Sequence, residues 1–335
     1  MASPKQQRID PKTVPAPTKK SGSSKSGRPG GRPPGAPAVP KPTLRSWIGA
    51  ARLQTLPLAI APVLLGTAVA YRLDHEAGDT GWHWLRALLC LAVALALQVG
   101  VNFANDYSDG VRGTDKHRVG PARLTASGAV RPRTVLIVAL VFFGLAAVAG
   151  LVIVIRTEHW WLLAVGAAAI VAAWFYTGGK RPYGYYGLGE VFVFVFFGLV
   201  ATVGTTFVLA GTVSADAWLA GVAIGLIACA VLMVNNIRDR EQDKVAGKRT
   251  LAVLLGDRAS RIVYGVLLLA PFGILAVFTV VYANAYLVYF ALLAAIPAVG
   301  ITISAKTPGE LILALRLTTL VALLYGLGLG WAIAF

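Results

Sequence analysis

Two segments carry the residues most suited to chemistry. One reads Asn102-Phe-Ala-Asn105-Asp106-Tyr-Ser-Asp109-Gly-Val-Arg-Gly-Thr-Asp115, and the other reads Asn235-Asn236-Ile-Arg-Asp239-Arg-Glu-Gln-Asp243. Each follows a long apolar run, and carboxylates beside lipid are costly enough to mark a site. Asn235, Asp239 and Asp243 stand at i, i+4 and i+8, which on a helix makes one stripe drifting about 40° per step. Asn105 and Asp109 repeat the i, i+4 spacing, with Asp106 adjacent. Gly110 and Gly113 argue that the helix ends there, so that Asp115 folds back toward the others. Hard oxygen ligands of this kind suit a divalent cation that binds one or two carboxylates together with phosphate oxygens. Lys116, Arg118 and Arg123 trail the first segment; Arg238, Lys248 and Arg249 accompany the second. These cations suit a diphosphate.

The elements that must position these residues are membrane helices. Only 14% of the 335 residues are charged, the mean hydropathy is +0.68, and apolar stretches of 18 or more residues recur along the chain. That composition excludes an ordinary soluble domain, and the lack of strict alternation excludes a spanning β-barrel. The expected fold class is all-α: a polytopic bundle of nine spanning helices near 48–71, 84–104, 134–155, 160–177, 188–210, 217–236, 260–282, 285–304 and 312–334. Long basic connections (105–133, 178–187, 237–259, 305–311) alternate with short ones. The positive-inside rule therefore places the long ones, the N-terminus and both Asp segments in the cytoplasm, and the C-terminus outside. Gly326 and Gly330 in the last span form a small-xxx-small pair suited to close helix packing.

Residues 1–45 form a separate region in this reading. Residues 1–46 hold ten Lys/Arg against the single Asp10, so more than half of the net +16 lies there. Rich in Pro, Gly and Ser and without apolar periodicity, the tail is expected to be disordered. It does not read as a signal peptide, because no apolar core follows its basic residues within 30 positions. Its charge suits an anionic lipid surface, with no nucleic-acid partner needed. Cys90 and Cys229 each fall inside an apolar run without metal-ligand spacing and read as small buried hydrophobes.

Two further segments share the face of the Asp motifs. Tyr176-Thr-Gly-Gly-Lys180-Arg181-Pro-Tyr183-Gly-Tyr-Tyr186-Gly-Leu-Gly-Glu190 offers rings that could stack on an aromatic acceptor or a cation. Lys180 and Arg181 are either positive-inside anchors or anion ligands. Arg52, before Thr55-Leu-Pro57, is either a snorkelling anchor or an anion ligand.

With these motifs in view, the chain resembles the UbiA superfamily of intramembrane prenyltransferases. That family carries paired motifs of the types N-D-x-x-D-x-x-x-D and N-x-x-x-D-x-x-x-D. Asn105 to Asp109 and Asn235 to Asp243 match, with one departure: Gly113 stands where the general pattern has Asp, and Asp115 follows two residues on. That form is similar to the menaquinone branch, as are Thr55-Leu-Pro57 with Ile60-Ala-Pro-Val, Gly120-Pro-Ala-Arg123-Leu-Thr-Ala-Ser127-Gly128, Tyr176-Thr-Gly-Gly and Gly187-Leu-Gly-Glu190. The likeness covers about residues 46–335.

The resemblance implies transfer of a polyprenyl group from polyprenyl diphosphate to 1,4-dihydroxy-2-naphthoate, with loss of diphosphate and CO₂, giving demethylmenaquinone. It implies catalytic roles for Asp106, Asp109, Asp115, Asp239, Asp243 and Tyr176. Asp106, Asp109, Asp239 and Asp243 would hold Mg²⁺ or Mn²⁺. Substrate contacts would fall to Asn102, Asn105, Lys116, Arg123, Asn235, Lys248, Arg249, Arg52, Lys180, Tyr183 and Tyr186. Two rival readings stay open here: another aromatic acceptor such as 4-hydroxybenzoate, and an ion-coupled secondary transporter.

Overall fold

The structure, a computed structural model, describes residues 41–78, 83–114 and 123–335. Among these every regular element is helical and there is no strand, as a lipid-embedded backbone requires when it must satisfy its own hydrogen bonds. The basic tail to residue 40, and with it most of the expected disordered region, lies outside the described residues. So do Asp115, Lys116 and Arg118.

The chain enters a short helix, α1 (Leu44–Ala51), through a capping box in which Thr43 and Ser46 bond each other's backbone amides. The long helices follow: α2 (Pro57–Glu76), α3 (Trp84–Arg112), α4 (Pro132–Thr157), then α5 (Leu162–Phe175), α6 (Gly189–Ala210), α7 (Ala215–Val245), the short α8 (Leu251–Leu255), α9 (Asp257–Val281), α10 (Ala285–Ser304) and α11 (Pro308–Ala334). Eight of them (all but α1, α5 and α8) are long and apolar enough to cross a membrane. The remaining expected span, 160–177, is the 14-residue α5, about 21 Å long against a hydrocarbon core of about 30 Å. Hydropathy extends through Trp160, Trp161 and Tyr176, but the helix does not.

A lipid-facing surface is visible on α4, where Ile137, Leu140, Val141, Leu145 and Val148 are exposed on one stripe. Trp160 and Trp161 are exposed at its end, as in an interfacial aromatic belt. The chain is a multi-pass membrane protein.

The centre of the bundle is α7, which packs against α2, α6, α9 and α11. Its inner stripe is small (Ala217, Ala220, Ala223, Ala228), so neighbouring backbones approach closely. Gly326 of α11 lies against α2 so tightly that a methyl there would fall 2.6 Å from Ala61 Cβ. The small-xxx-small pair is therefore a packing contact. Cys90 and Cys229 are buried and unpaired. Both Asp motifs prove helical, because α3 runs to Arg112 and α7 to Val245, beyond the spans that hydropathy marks. Gly113 ends α3 with φ 75°, the left-handed turn its spacing predicts.

Candidate active site

The last turns of α3 turn amides and carboxylates inward. Asn102 donates to the Ala51 carbonyl at 3.0 Å and anchors α1. Asn105 accepts from the Thr177 hydroxyl at 2.6 Å. Asp109 is almost fully buried and is held from two sides. Its Oδ1 accepts from the Tyr185 hydroxyl at 2.7 Å, and its Oδ2 meets Lys248 Nζ at 2.9 Å. Asp106 behaves differently. Its two oxygens accept the backbone N–H groups of Leu124 and Thr125, each at 2.9 Å.

On α7, Arg238 donates to Asn235 Oδ1 at 2.6 Å and binds Asp239 through two contacts of 2.8 Å. Asn236 donates to Glu190 Oε1 at 3.1 Å. After Val245, Gly247 takes φ 75°, and the Lys248 amide bonds back to the Asp243 carbonyl at 2.8 Å. This left-handed reversal is the reason Lys248 folds over the helix end rather than continuing away from it. Its Nζ lies 4.0 Å from Asp243 Oδ1 and so stands between the carboxylates of the two motifs.

The 176–185 segment closes the third side. A 3₁₀ turn, Tyr183–Tyr185, is pinned by the Arg249 amide donating to the Tyr185 carbonyl at 2.9 Å. Arg112 donates to the carbonyls of Thr177 and Gly179. The Tyr185 ring lies 5.3 Å from the Arg112 guanidinium and 4.8 Å from Lys248 Nζ, both cation–π distances. Burial pushes the Tyr185 phenol well above its usual range, and the adjacent Asp109 carboxylate adds to that. Tyr185 therefore remains a hydrogen-bond donor to Asp109.

Together these segments form two joined cavities. A small polar recess is walled by Arg52, Asn105, Asp109, Arg123, Tyr176, Asn235, Asp243 and Lys248, with Thr177, Tyr185 and Asn236. Beneath it lies a cavity of about 530 Å³ with a mainly apolar lining from α3, α4, α5 and α6. Along α3 it extends from Asn105 to Cys90, about 22 Å at helical rise. Arg52, Asn105, Arg123, Tyr176 and Asn235 line both spaces, so a polar head site opens directly onto an apolar channel. Asn102 and Tyr183 line the channel, with Tyr183 edge-on to Tyr176 at 5.6 Å.

Not every residue expected at the site faces these cavities. Asp106 and Asp239 are buried and line neither one. For Asp106 the reason is physical: a carboxylate with no exposed surface needs strong donors at both oxygens, and the Leu124–Thr125 amides supply them. Lys180, Tyr186 and Arg249 are exposed and likewise line neither space; Arg249 contributes through its backbone. Conversely, Tyr185, Thr177 and Asn236 join the recess without having been singled out. Tyr185 sits beside the tyrosines that were, and the 3₁₀ turn decides which of them points inward.

The donor set suits a divalent cation. Among the described residues no group of three or more His, Cys, Asp and Glu converges as a preformed metal centre. Asp109 and Asp243 nevertheless share one cation, the Lys248 ammonium, across the recess. Two carboxylates lining one recess match a metal that takes few protein ligands and keeps several waters.

Comparison with known proteins agrees with this architecture. Residues 59–310 match the UbiA prenyltransferase family. A Mycobacterium tuberculosis protein named 1,4-dihydroxy-2-naphthoate octaprenyltransferase is 47% identical over 291 residues, covering 86% of this chain and 97% of that protein. Its namesake from Mycobacterium leprae is 49% identical over 231 residues, covering 69% of this chain and 76% of that one. The solved structure of a UbiA homolog from Aeropyrum pernix shares the fold, with a TM-score of 0.64 at 15% identity, over 83% of this chain and 97% of that one. The chain is a member of the UbiA prenyltransferase family, and prenyl transfer replaces ion-coupled transport as its activity.

Proposed function

We propose that this enzyme transfers a polyprenyl group from polyprenyl diphosphate to 1,4-dihydroxy-2-naphthoate, with loss of diphosphate and CO₂, forming the quinol of demethylmenaquinone, which a separate two-electron oxidation converts to the quinone. The observation that carries the reading is the junction of the two cavities, because a charged head on an apolar tail is the one ligand shape that uses both. The naphthoate acceptor is drawn from the names of the relatives that match most of the chain.

Asp109 and Asp243 would hold Mg²⁺ (or Mn²⁺) at the recess, with Asp239 one turn behind, and the ion would neutralise charge on the leaving diphosphate. Arg52, Arg123 and Lys248 line the same space and are placed to bind phosphate oxygens. The allylic C–O bond breaks and its electron pair leaves with the diphosphate. The ring carbon bearing the carboxylate bonds to the allylic cation. The bond from that carbon to the carboxyl group then breaks, its electrons restore the aromatic ring, and CO₂ departs. The apolar channel holds the prenyl chain and excludes the water that would quench the cation. Tyr176 at the junction, and Tyr183 beside it in the channel, would supply the aromatic surface that meets the cation or the acceptor.

By the positive-inside rule the site opens to the cytoplasm from the cell membrane, with the N-terminus on the same side and the C-terminus outside. The test is turnover by the membrane-embedded protein with polyprenyl diphosphate and Mg²⁺, using 1,4-dihydroxy-2-naphthoate or 4-hydroxybenzoate as acceptor. Metal-dependent, CO₂-releasing product from the naphthoate alone is expected. Product from 4-hydroxybenzoate alone would move the acceptor assignment.

A further inference from the structure

Among the described residues, Asp106 is the motif carboxylate held by backbone amides alone. Consecutive amides of Leu124 and Thr125 point at its two oxygens, at 2.9 Å each. Two successive N–H groups on one carboxylate form a charge-assisted clamp. The clamped segment is docked in other ways as well. Leu124 is 1% exposed and belongs to the same buried cluster as Phe103, Ala104 and Phe143. Gly110, one turn beyond Asp106 on α3, makes room for it: a methyl there would lie 2.4–2.5 Å from the Thr125 side chain. The segment also closes on itself, with the Val130 amide donating to the Leu124 carbonyl at 3.2 Å and Gly128 at φ 70°.

The residue immediately before the clamped amides is Arg123. It lines both the recess and the channel and lies within electrostatic reach of Asp109. Docking residues 124 and 125 therefore fixes the point from which the Arg123 side chain starts and so limits where its guanidinium can reach.

We propose that Asp106 is a positioning residue and not a metal ligand: its carboxylate clamps the 124–125 backbone against α3 and thereby sets Arg123 at the phosphate end of the channel. The inference rests on the reading of the recess as the diphosphate site, and the test separates the two. Full-length protein in detergent is compared as wild type, Asp106→Asn, Arg123→Met and Gly110→Ala. Gly110→Ala attacks the same docking contact from the other side and keeps the test open if Asp106→Asn folds poorly. Three quantities are read: hydrogen exchange at the 124–125 amides, the Kd of inorganic pyrophosphate, and the Mg²⁺ concentration for half-maximal turnover.

In the wild type the 124–125 amides should be protected, and in Asp106→Asn and Gly110→Ala that protection should fall. The pyrophosphate Kd should rise about tenfold in each of the three variants, the scale of one lost charged hydrogen bond. Asp106→Asn combined with Arg123→Met should bind no more weakly than either alone, because both remove the same contact. The Mg²⁺ requirement of Asp106→Asn should stay near wild type, since both Asp106 oxygens face backbone amides and neither lines the recess. A Mg²⁺ requirement raised tenfold or more with 124–125 protection intact would make Asp106 a metal ligand and overturn the proposal. Lost protection with unchanged pyrophosphate binding would overturn the link to Arg123. If wild type itself bound no pyrophosphate, the diphosphate reading would fail, and the exchange data would still decide whether the clamp exists.

Discussion

Both motifs occupy the last turns of their helices, the first on α3 just before it ends at Arg112 and the second on α7 just before it ends at Val245. In each, one aspartate faces the recess (Asp109, Asp243) and one is buried behind it (Asp106, Asp239). The buried pair is neutralised differently. Each oxygen of Asp239 accepts from the guanidinium of Arg238, its neighbour in sequence. Asp106 takes backbone amides from 18 and 19 residues away. A buried carboxylate needs donors, and the nearest supply decides what it organises. On α7 that is a cation on the same helix, and on α3 it is a separate segment of chain.

This contrast can be broken in four places. The largest effect is expected at Asp239. Removing one partner of a buried ion pair costs about 3–5 kcal/mol, so Asp239→Asn should lose stability together with activity, seen as a lower melting temperature in detergent. Asp243→Asn should instead lower kcat by about 10²–10³-fold, the scale of one preorganised electrostatic contact, with melting unchanged. If both substitutions behaved alike, the division between wall and recess would be wrong.

Lys248→Met removes the cation shared by Asp109 and Asp243. It should raise KM for the prenyl diphosphate about 10- to 100-fold, as expected for a charged hydrogen bond, and leave KM for the acceptor near wild type. The smallest effect is expected for Tyr185→Phe, which deletes one hydrogen bond to Asp109 and should cost about fivefold in kcat/KM. This variant also carries a pH signature. The Tyr185 phenol is raised in the folded protein, so its contribution to stability is complete below about pH 10 and is lost as pH rises past the ordinary tyrosine value. Wild type should therefore lose stability more steeply than Tyr185→Phe in alkaline melting curves.

Much of the fold was legible because a bilayer demands long apolar helices and the chain contains them. The Gly326 contact with α2 was legible for a similar reason, since small residues four apart have one common use between helices. The helix ends were less so. Hydropathy stops near residues 104 and 236, where charge begins, whereas the backbone continues through both motifs to Arg112 and Val245. In the site, Arg52, Asn105, Asp109, Arg123, Asn235, Asp243 and Lys248 converge as the motifs suggest. The choice of Tyr185 over Tyr186, and of Thr177 as partner to Asn105, depends on turns and on contacts between distant segments. Neither carries a local signal.

The sequence by itself determined a helical membrane protein with two carboxylate clusters near helix ends and cations close behind each. Composition and spacing suffice for that, because lipid penalises strands, exposed backbone and stray charge uniformly. Only the tertiary structure decided which carboxylates face each other. Lys248 reaches Asp109 across 139 residues of chain, and Asp106 finds its donors in a returning segment. Helical periodicity assigns a residue to a face to within tens of degrees, while a hydrogen bond requires its partner within about 3 Å, and only packing of the whole bundle sets a position that finely.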